Sequence, residues 1–126
     1  TAVSNGIIVH RDLLKQDPDA VRAFVRATLK GFLYAEKNHD EAITIIKKYG
    51  PEIVPEIAKR EFEMSILNWN TPNTKGKPLG WSSDKDWEST VETLKEYGGV
   101  NTPLKASDLY TNDFVPTGSE FVPMAQ

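Results

Sequence analysis

The sequence contains no cysteine and only two histidines, His10 and His39, among its 126 residues. The lack of cysteine excludes disulfide scaffolds, thiolate zinc sites, iron–sulfur clusters and thiol nucleophiles. The two histidines do not form the i, i+4 pair that zinc enzymes place on a helix. Phosphate-binding glycine loops and the Gly-x-Ser-x-Gly motif are also missing. The residues therefore indicate no enzyme, and we expect neither a metal nor a cofactor.

An excess of charge of one sign and a long hydrophobic run are missing as well. The chain has 15 Lys and Arg against 18 Asp and Glu, which leaves a net charge of -3. Nucleic-acid-binding domains need a strong basic patch, so we expect no nucleic-acid partner. No apolar run reaches the roughly 18 residues of a membrane span, and the first residues lack a signal peptide's basic start and apolar centre.

The length suits a single segment, residues 1–126, without a second domain. Its first feature is the run Gly6-Ile7-Ile8-Val9-His10, whose β-branched residues between polar flanks predict one buried strand. A single strand cannot form a sheet. Its partners are therefore expected in another chain, in a part of the protein that is not present, or in a later segment.

The chain between residue 12 and about residue 97 is predicted to be mostly helical. Asp17 before Pro18 predicts a helix start, and further helices are expected over residues 40–48, from Pro55 and from Ser83. A polar loop of unusual length, residues 70–80, precedes Ser83. Residues 111–126 alternate apolar residues with proline and glycine, which predicts an extended tail along a surface. The apolar stripe of the long helix is Val21, Phe24, Val25, Thr28 and Phe32.

Two rows of like charge recur at helical spacing. We interpret the basic row on the first long helix as a solvated face rather than an anion site. The acidic row near residue 90 runs in line along one helix and does not converge on a metal ion. The rows are Arg22, Arg26 and Lys30, and Glu88, Glu92 and Glu96.

Tryptophan and small polar residues supply the candidate binding positions. Trp87 shares helical spacing with Val91 and is assigned to the core, whereas Trp81 and Trp69 are candidates for stacking on a flat ligand. Asn5 and Gly6 stand directly before the predicted strand, where backbone and amide groups often face a ligand in α/β proteins.

The order of these signals resembles a known family. The run at residues 6–9, the helix from Pro18 to Gly31 and the final Thr111-Asn112-Asp113-Phe114 carry the likeness. They are similar to the carboxyl-terminal part of solute-binding proteins of ABC importers, in the group for nitrate, sulfonates, taurine and the pyrimidine precursor of thiamine. The likeness extends over nearly the whole chain and implies a fragment of such a protein.

The resemblance implies a two-lobed periplasmic-binding-protein type II fold that closes on a small ligand. This chain would be the returning part of the first lobe, mostly α with one or two short strands, and Ser4, Asn5 and Gly6 would lie near the cleft. The implied partners are a small molecule, the importer's membrane subunits and the remaining amino-terminal part of the protein. The implied location is periplasmic or otherwise extracytoplasmic, in association with the membrane.

Two alternatives from other classes stay open. One is a free-standing helical module whose aromatic residues and tail dock a protein partner. The other is a related enzyme that makes the thiamine pyrimidine. The strand at residues 6–9 separates the first alternative from the transport hypothesis, because only an importer lobe requires that strand to pair within a sheet.

Overall fold

The computed structural model describes residue 3 and residues 5–124, and within them the chain is mostly helical. Two short 3-10 turns, Ala106–Asp108 and Ser119–Phe121, follow the last helix. The helices are α1 (Arg11–Gln16), α2 (Pro18–Lys37), α3 (His39–Lys47), α4 (Pro55–Ile66) and α5 (Asp84–Tyr97).

The start of α2 follows the local signals in the sequence. The side chain of Asp17 accepts a hydrogen bond from the Ala20 backbone N–H at 3.0 Å, and Pro18 occupies the first turn. This cap satisfies a backbone donor that the helix itself leaves without a partner. The prediction of a helix start at this position is confirmed, as is the start of α4 at Pro55.

One face of α2 supplies most of the hydrophobic core. Its buried residues meet Leu79 from the long loop and Phe121 from the carboxyl-terminal region. Phe121 is 1% exposed and is the most completely buried large side chain of the described residues. The segment after residue 110 therefore contributes core to the molecule. The α2 residues of this core are Val21, Val25, Leu29 and Leu33.

Two smaller packings complete the fold. Helix α3 packs on α4, where the His39 ring meets Phe62 edge-on at 5.5 Å and Lys59 donates to Asp40 at 2.6 Å. Helix α5 packs on the turn Ala106–Asp108, and just beyond that turn Tyr110 stacks on Trp87 with the ring centroids 5.4 Å apart. Trp87 is half-buried, in keeping with its assignment to the packed interior.

The expectation of one or two short strands is wrong for the described residues, which contain no strand. Residues 6–10 lie between Asn5 and α1, and Ile8 is 98% exposed there. The physical reason is that a strand needs a hydrogen-bonded neighbouring strand, and residues 7–9 make no backbone hydrogen bond to another described segment.

The predicted apolar stripe of α2 is also wrong in part. Val21 and Val25 are buried, but Phe24 is 61% exposed and Phe32 is 46% exposed. The predicted apolar stripe of α2 is therefore wider than the part of the helix surface that is buried against other described residues. No helix of the described part is long and apolar enough to cross a lipid bilayer.

Candidate functional site

The segment before α1 is held at its two ends. At one end the Val3 N–H donates to the Thr90 hydroxyl of α5 at 2.8 Å, and at the other end the His10 carbonyl accepts from the Leu14 N–H at 3.3 Å. Between these points, residues 7–9 make no backbone hydrogen bond to any described residue. Because extended backbone groups normally find partners, this stretch can accept a neighbouring strand.

The same segment forms one wall of an open groove. The groove has a volume of about 400 Å³ and lies between residues 7–10 and the amino-terminal halves of α1 and α2. Its lining is almost entirely apolar, with Leu13 45% exposed and Phe24 61% exposed. An apolar surface of this kind suits another part of a protein or a flat ligand better than a small anion. The lining residues are Ile7, Ile8, Val9, His10, Leu13, Ala20, Val21 and Phe24.

Asn5 and Gly6, which the sequence proposes as ligand residues, are both exposed directly before this groove. A Cβ atom added at Gly6 would have no other atom within 4 Å. The amide of Asn5 and the backbone of Gly6 are therefore accessible to a ligand. Ser4, the third residue of this group, lies outside the described residues.

Trp81 directly follows the long loop, in the connection between α4 and α5, and is half-buried. The ammonium group of Lys77 stands over its ring, 5.0 Å from the centroid, in a cation–π contact. Next to it, the side chain of Asn112 pairs with the backbone of Ser82: Ser82 N–H donates at 2.8 Å and the Asn112 amide donates back at 2.9 Å. The loop thus presents Trp81 from a fixed backbone.

Trp69 lies between helices. Its ring meets Phe32 of α2 and Phe62 of α4 edge-on, each at 5.8 Å between centroids, and it packs against the core. These contacts give Trp69 a role in holding α2 and α4 together. Its assignment as a ligand residue stays a prediction.

A buried carboxylate that the sequence pattern does not reveal orders the loop. Asp86 is 3% exposed and accepts from the Thr71 hydroxyl at 2.6 Å and from the Asn73 amide at 2.7 Å. The sequence predicts a helix start at Ser83, but the Asp86 side chain bonds to the loop and does not cap its own helix. The polar residues Thr71 and Asn73 are visible in the sequence as possible hydrogen-bond donors, but nothing in the sequence indicates that Asp86 is their acceptor.

A second groove, of about 590 Å³, lies between α3 and α4. Its wall includes Lys59 and Asp40, whose hydrogen bond lowers the pKa of Asp40 and raises that of Lys59, with their mutual charge attraction adding to both shifts. This pair is a surface ion pair between two helices. Both shifts favour the charged form of each group.

The described residues contain no group of three or more metal-ligating side chains. His10 faces Asp12 at 3.6 Å and His39 faces Glu63 at 3.5 Å, so each histidine lies beside a carboxylate. Two separate pairs of this kind do not make a metal centre or a catalytic triad.

Comparison with known proteins agrees with the family resemblance that the sequence suggested. Residues 1–42 match a family model described as NMT1/THI5 like. A riboflavin-binding protein, RibY, of Chloroflexus aurantiacus is 32% identical over 119 residues, which are 92% of this chain and 34% of the relative. A formylaminopyrimidine-binding protein of Halalkalibacterium halodurans is 28% identical over 108 residues, which are 84% of this chain and 32% of the relative.

A third relative carries the name of an enzyme. The 4-amino-5-hydroxymethyl-2-methylpyrimidine phosphate synthase of Legionella pneumophila is 22% identical over 105 residues, 83% of this chain and 31% of the relative. The chain thus spans about a third of the length of the curated relatives it matches. These matches confirm the resemblance to NMT1-like solute-binding proteins.

Proposed function

Because this chain is related to the NMT1/THI5-like solute-binding proteins, we propose that it is part of the solute-binding component of an ABC importer. In this proposal the chain is the returning part of the first lobe of a two-lobed, periplasmic-binding-protein type II fold. The protein works outside the cytoplasm, next to the membrane subunits of the importer, and performs no bond chemistry. Ligand drives lobe closure only through contacts that it gains in the closed state.

The observation that carries the proposal is the unpaired segment at residues 7–9. Ile8 is 98% exposed and Ile7 is 42% exposed, beside the apolar groove. A segment with exposed β-branched residues and unpaired backbone groups can pair with another strand and so become part of a sheet. In a protein of the relatives' length, residues 7–9 pair with the sheet of the amino-terminal part, which also covers the groove.

The proposed ligand is a flat nitrogen heterocycle. Two of the relatives are named for riboflavin and for formylaminopyrimidine, and both compounds contain a pyrimidine ring. The amide of Asn5 and the backbone of Gly6 can hydrogen-bond to ring nitrogens and carbonyls, and Trp81 supplies an aromatic face. The groove beside residues 7–9 has an almost entirely apolar lining, which suits a flat ring better than nitrate, sulfonates or taurine.

Calorimetric titration of the full-length protein tests the ligand class. Riboflavin and formylaminopyrimidine are titrated in parallel with nitrate and taurine, and saturable binding of a heterocycle with none of the anions is the expected result. Asn5→Ala is expected to weaken that binding about two- to tenfold, the loss of one hydrogen bond. Asn101→Ala, at another exposed asparagine, is the control and leaves affinity unchanged. Binding of taurine or nitrate alone overturns the heterocycle assignment.

Hydrogen exchange of the same full-length protein tests the fold. The amides of residues 7–9 are expected to exchange as slowly as those in the middle of α2, because strand pairing protects them. Exchange as fast as that of an exposed loop would remove the sheet and, with it, the lobe assignment. It would favour the free-standing helical module instead.

Cell fractionation and an activity assay complete the test. The protein is expected in the extracytoplasmic fraction with the importer's membrane subunits. Formation of a pyrimidine phosphate by the purified protein would favour the enzyme alternative, to which the 22% identical synthase relative belongs. No product formation is expected, since the relatives from Chloroflexus aurantiacus and Halalkalibacterium halodurans are both named as binding proteins.

A further inference from the structure

We propose that Asn5 is a site of spontaneous deamidation, at which a neutral amide becomes a carboxylate. Asn5-Gly6 is the one Asn-Gly pair of the sequence. Both residues are exposed, and neither makes a hydrogen bond to a described residue. The proposal concerns the chemistry of this peptide bond and goes beyond the binding function.

The reaction is an internal attack. The backbone nitrogen of Gly6 gives up its proton and attacks Cγ of Asn5, so that a new C–N bond closes a five-membered succinimide. The Cγ–Nδ2 bond breaks, and the amide nitrogen leaves as ammonia with the transferred proton. Water then opens the ring at either carbonyl, which yields aspartate or isoaspartate without any change in oxidation state.

The local structure favours this attack for two reasons. The nitrogen must approach the side chain of the preceding residue, which requires a backbone that is free to rotate, and glycine is the most permissive residue for that. The nitrogen must also be unhindered, and a Cβ added at Gly6 would have nothing within 4 Å. Segments with few hydrogen bonds and little buried contact open most readily.

The other asparagines provide an internal comparison. Asn112 is held by its reciprocal hydrogen bonds to Ser82, and Asn73 donates to Asp86. Asn101 is exposed like Asn5, but the β-branched Thr102 follows it and hinders attack by the backbone nitrogen. Asn101 therefore separates the effect of exposure from the effect of the following glycine.

Deamidation changes the surface that we assign to the ligand. It adds one negative charge to a chain whose net charge is -3, and it replaces the amide donor of Asn5 by an acceptor. The isoaspartate product also lengthens the backbone by one methylene before residues 7–9. The reaction does not require strand pairing of residues 7–9, so its failure and that of the proposed function are distinguishable.

Peptide mapping by mass spectrometry tests the proposal on the full-length protein, kept without ligand at neutral and at mildly alkaline pH. Asn5 is expected to convert many-fold faster than Asn101, to speed up with pH, and to give both aspartate and isoaspartate. Gly6→Ala fits the open space and is expected to slow the conversion several-fold. Equal rates at Asn5 and Asn101, no effect of Gly6→Ala, or the absence of isoaspartate would each overturn the proposal.

Discussion

The guanidinium group of Arg26 lies over the ring of Phe121, 5.1 Å from its centroid. One turn earlier on α2, Arg22 repeats the arrangement: it stands 5.0 Å from the Phe114 ring and donates to the Asp113 carbonyl at 2.6 Å. Two members of the basic row, which its spacing alone predicts to be a solvated face, therefore hold the carboxyl-terminal segment against α2.

Phe121→Ala is expected to destabilise the protein more than any other truncation in this segment. The ring is 1% exposed and packs on α2, so its removal leaves a cavity at a cost of about 3–5 kcal/mol. Urea denaturation of the purified protein measures the change. Met124→Ala, at a side chain that is 64% exposed, is the control and is expected to cost less than about 0.5 kcal/mol. Similar losses for the two variants would contradict the packing of Phe121 against α2.

Arg26→Gln isolates the cation–π contact. The substitution keeps a polar side chain on an exposed helix position and removes the charge over the ring, which we expect to cost about 0.5–1 kcal/mol. Lys30→Gln, in the same basic row and also exposed, is the matched control and is expected to have a smaller effect. Equal effects in the denaturation curves of the two variants would show that the row is a solvated face.

Asn112→Ala is expected to loosen the loop that carries Trp81. The substitution removes two hydrogen bonds to the Ser82 backbone, each worth about 0.5–1.5 kcal/mol. The partly buried N–H and carbonyl of Ser82 then lack their Asn112 partner. Tryptophan fluorescence and the free energy of unfolding measure the two consequences. Asn101→Ala, at an exposed position, provides the reference, and a matching result for both variants would contradict the anchoring role.

The sequence predicts features of the fold that depend on residues close together in the chain, and it does not predict those that depend on residues far apart in the chain. Asp17 with Pro18 and the proline at position 55 marked helix starts correctly, because a cap involves neighbours within one turn. The partners of Arg22 and Arg26 lie about ninety positions away in the chain, and no local pattern indicates them. The exposed Phe24 shows the same limit, since periodicity identifies an apolar face but not what covers it.

The candidate site followed a similar division. Asn5 and Gly6 were identified from their place before a β-branched run, and the structure leaves both accessible. The β-branched composition of residues 6–10 predicts a strand. Strand formation, however, also requires a neighbouring strand, and the described residues provide none. Asp86 was missed because a buried carboxylate is recognised by its donors, Thr71 and Asn73, which lie 15 and 13 positions away.

Asp86→Ala is expected to release the long loop from α5. Without the carboxylate, the Thr71 hydroxyl and the Asn73 amide lose their acceptor in a partly buried place, which costs about 1–3 kcal/mol. Hydrogen exchange of residues 70–80 should quicken, while α2 stays protected. Glu88→Ala removes an exposed carboxylate of the same helix and is expected to leave the loop unchanged. An unchanged exchange rate in Asp86→Ala would contradict the assignment of this network.

The raised pKa of Tyr110 predicts that the folded protein loses stability at alkaline pH. Burial, followed by its hydrogen bond to Asp84 and the charges of Asp84 and Glu88, raises the pKa of Tyr110 from 10.0 to about 12. The unfolded chain therefore releases the phenol proton first, and the folded state loses this contribution as the pH rises from about 10 to about 12. Tyr110→Phe has no phenol to titrate, so its unfolding free energy should fall less over that interval. Tyr97→Phe, at a side chain that is 79% exposed, serves as the matched substitution and should follow the parent protein. If Tyr110→Phe and the parent protein lose stability in parallel across that interval, the neutral phenol of Tyr110 contributes nothing to the folded state.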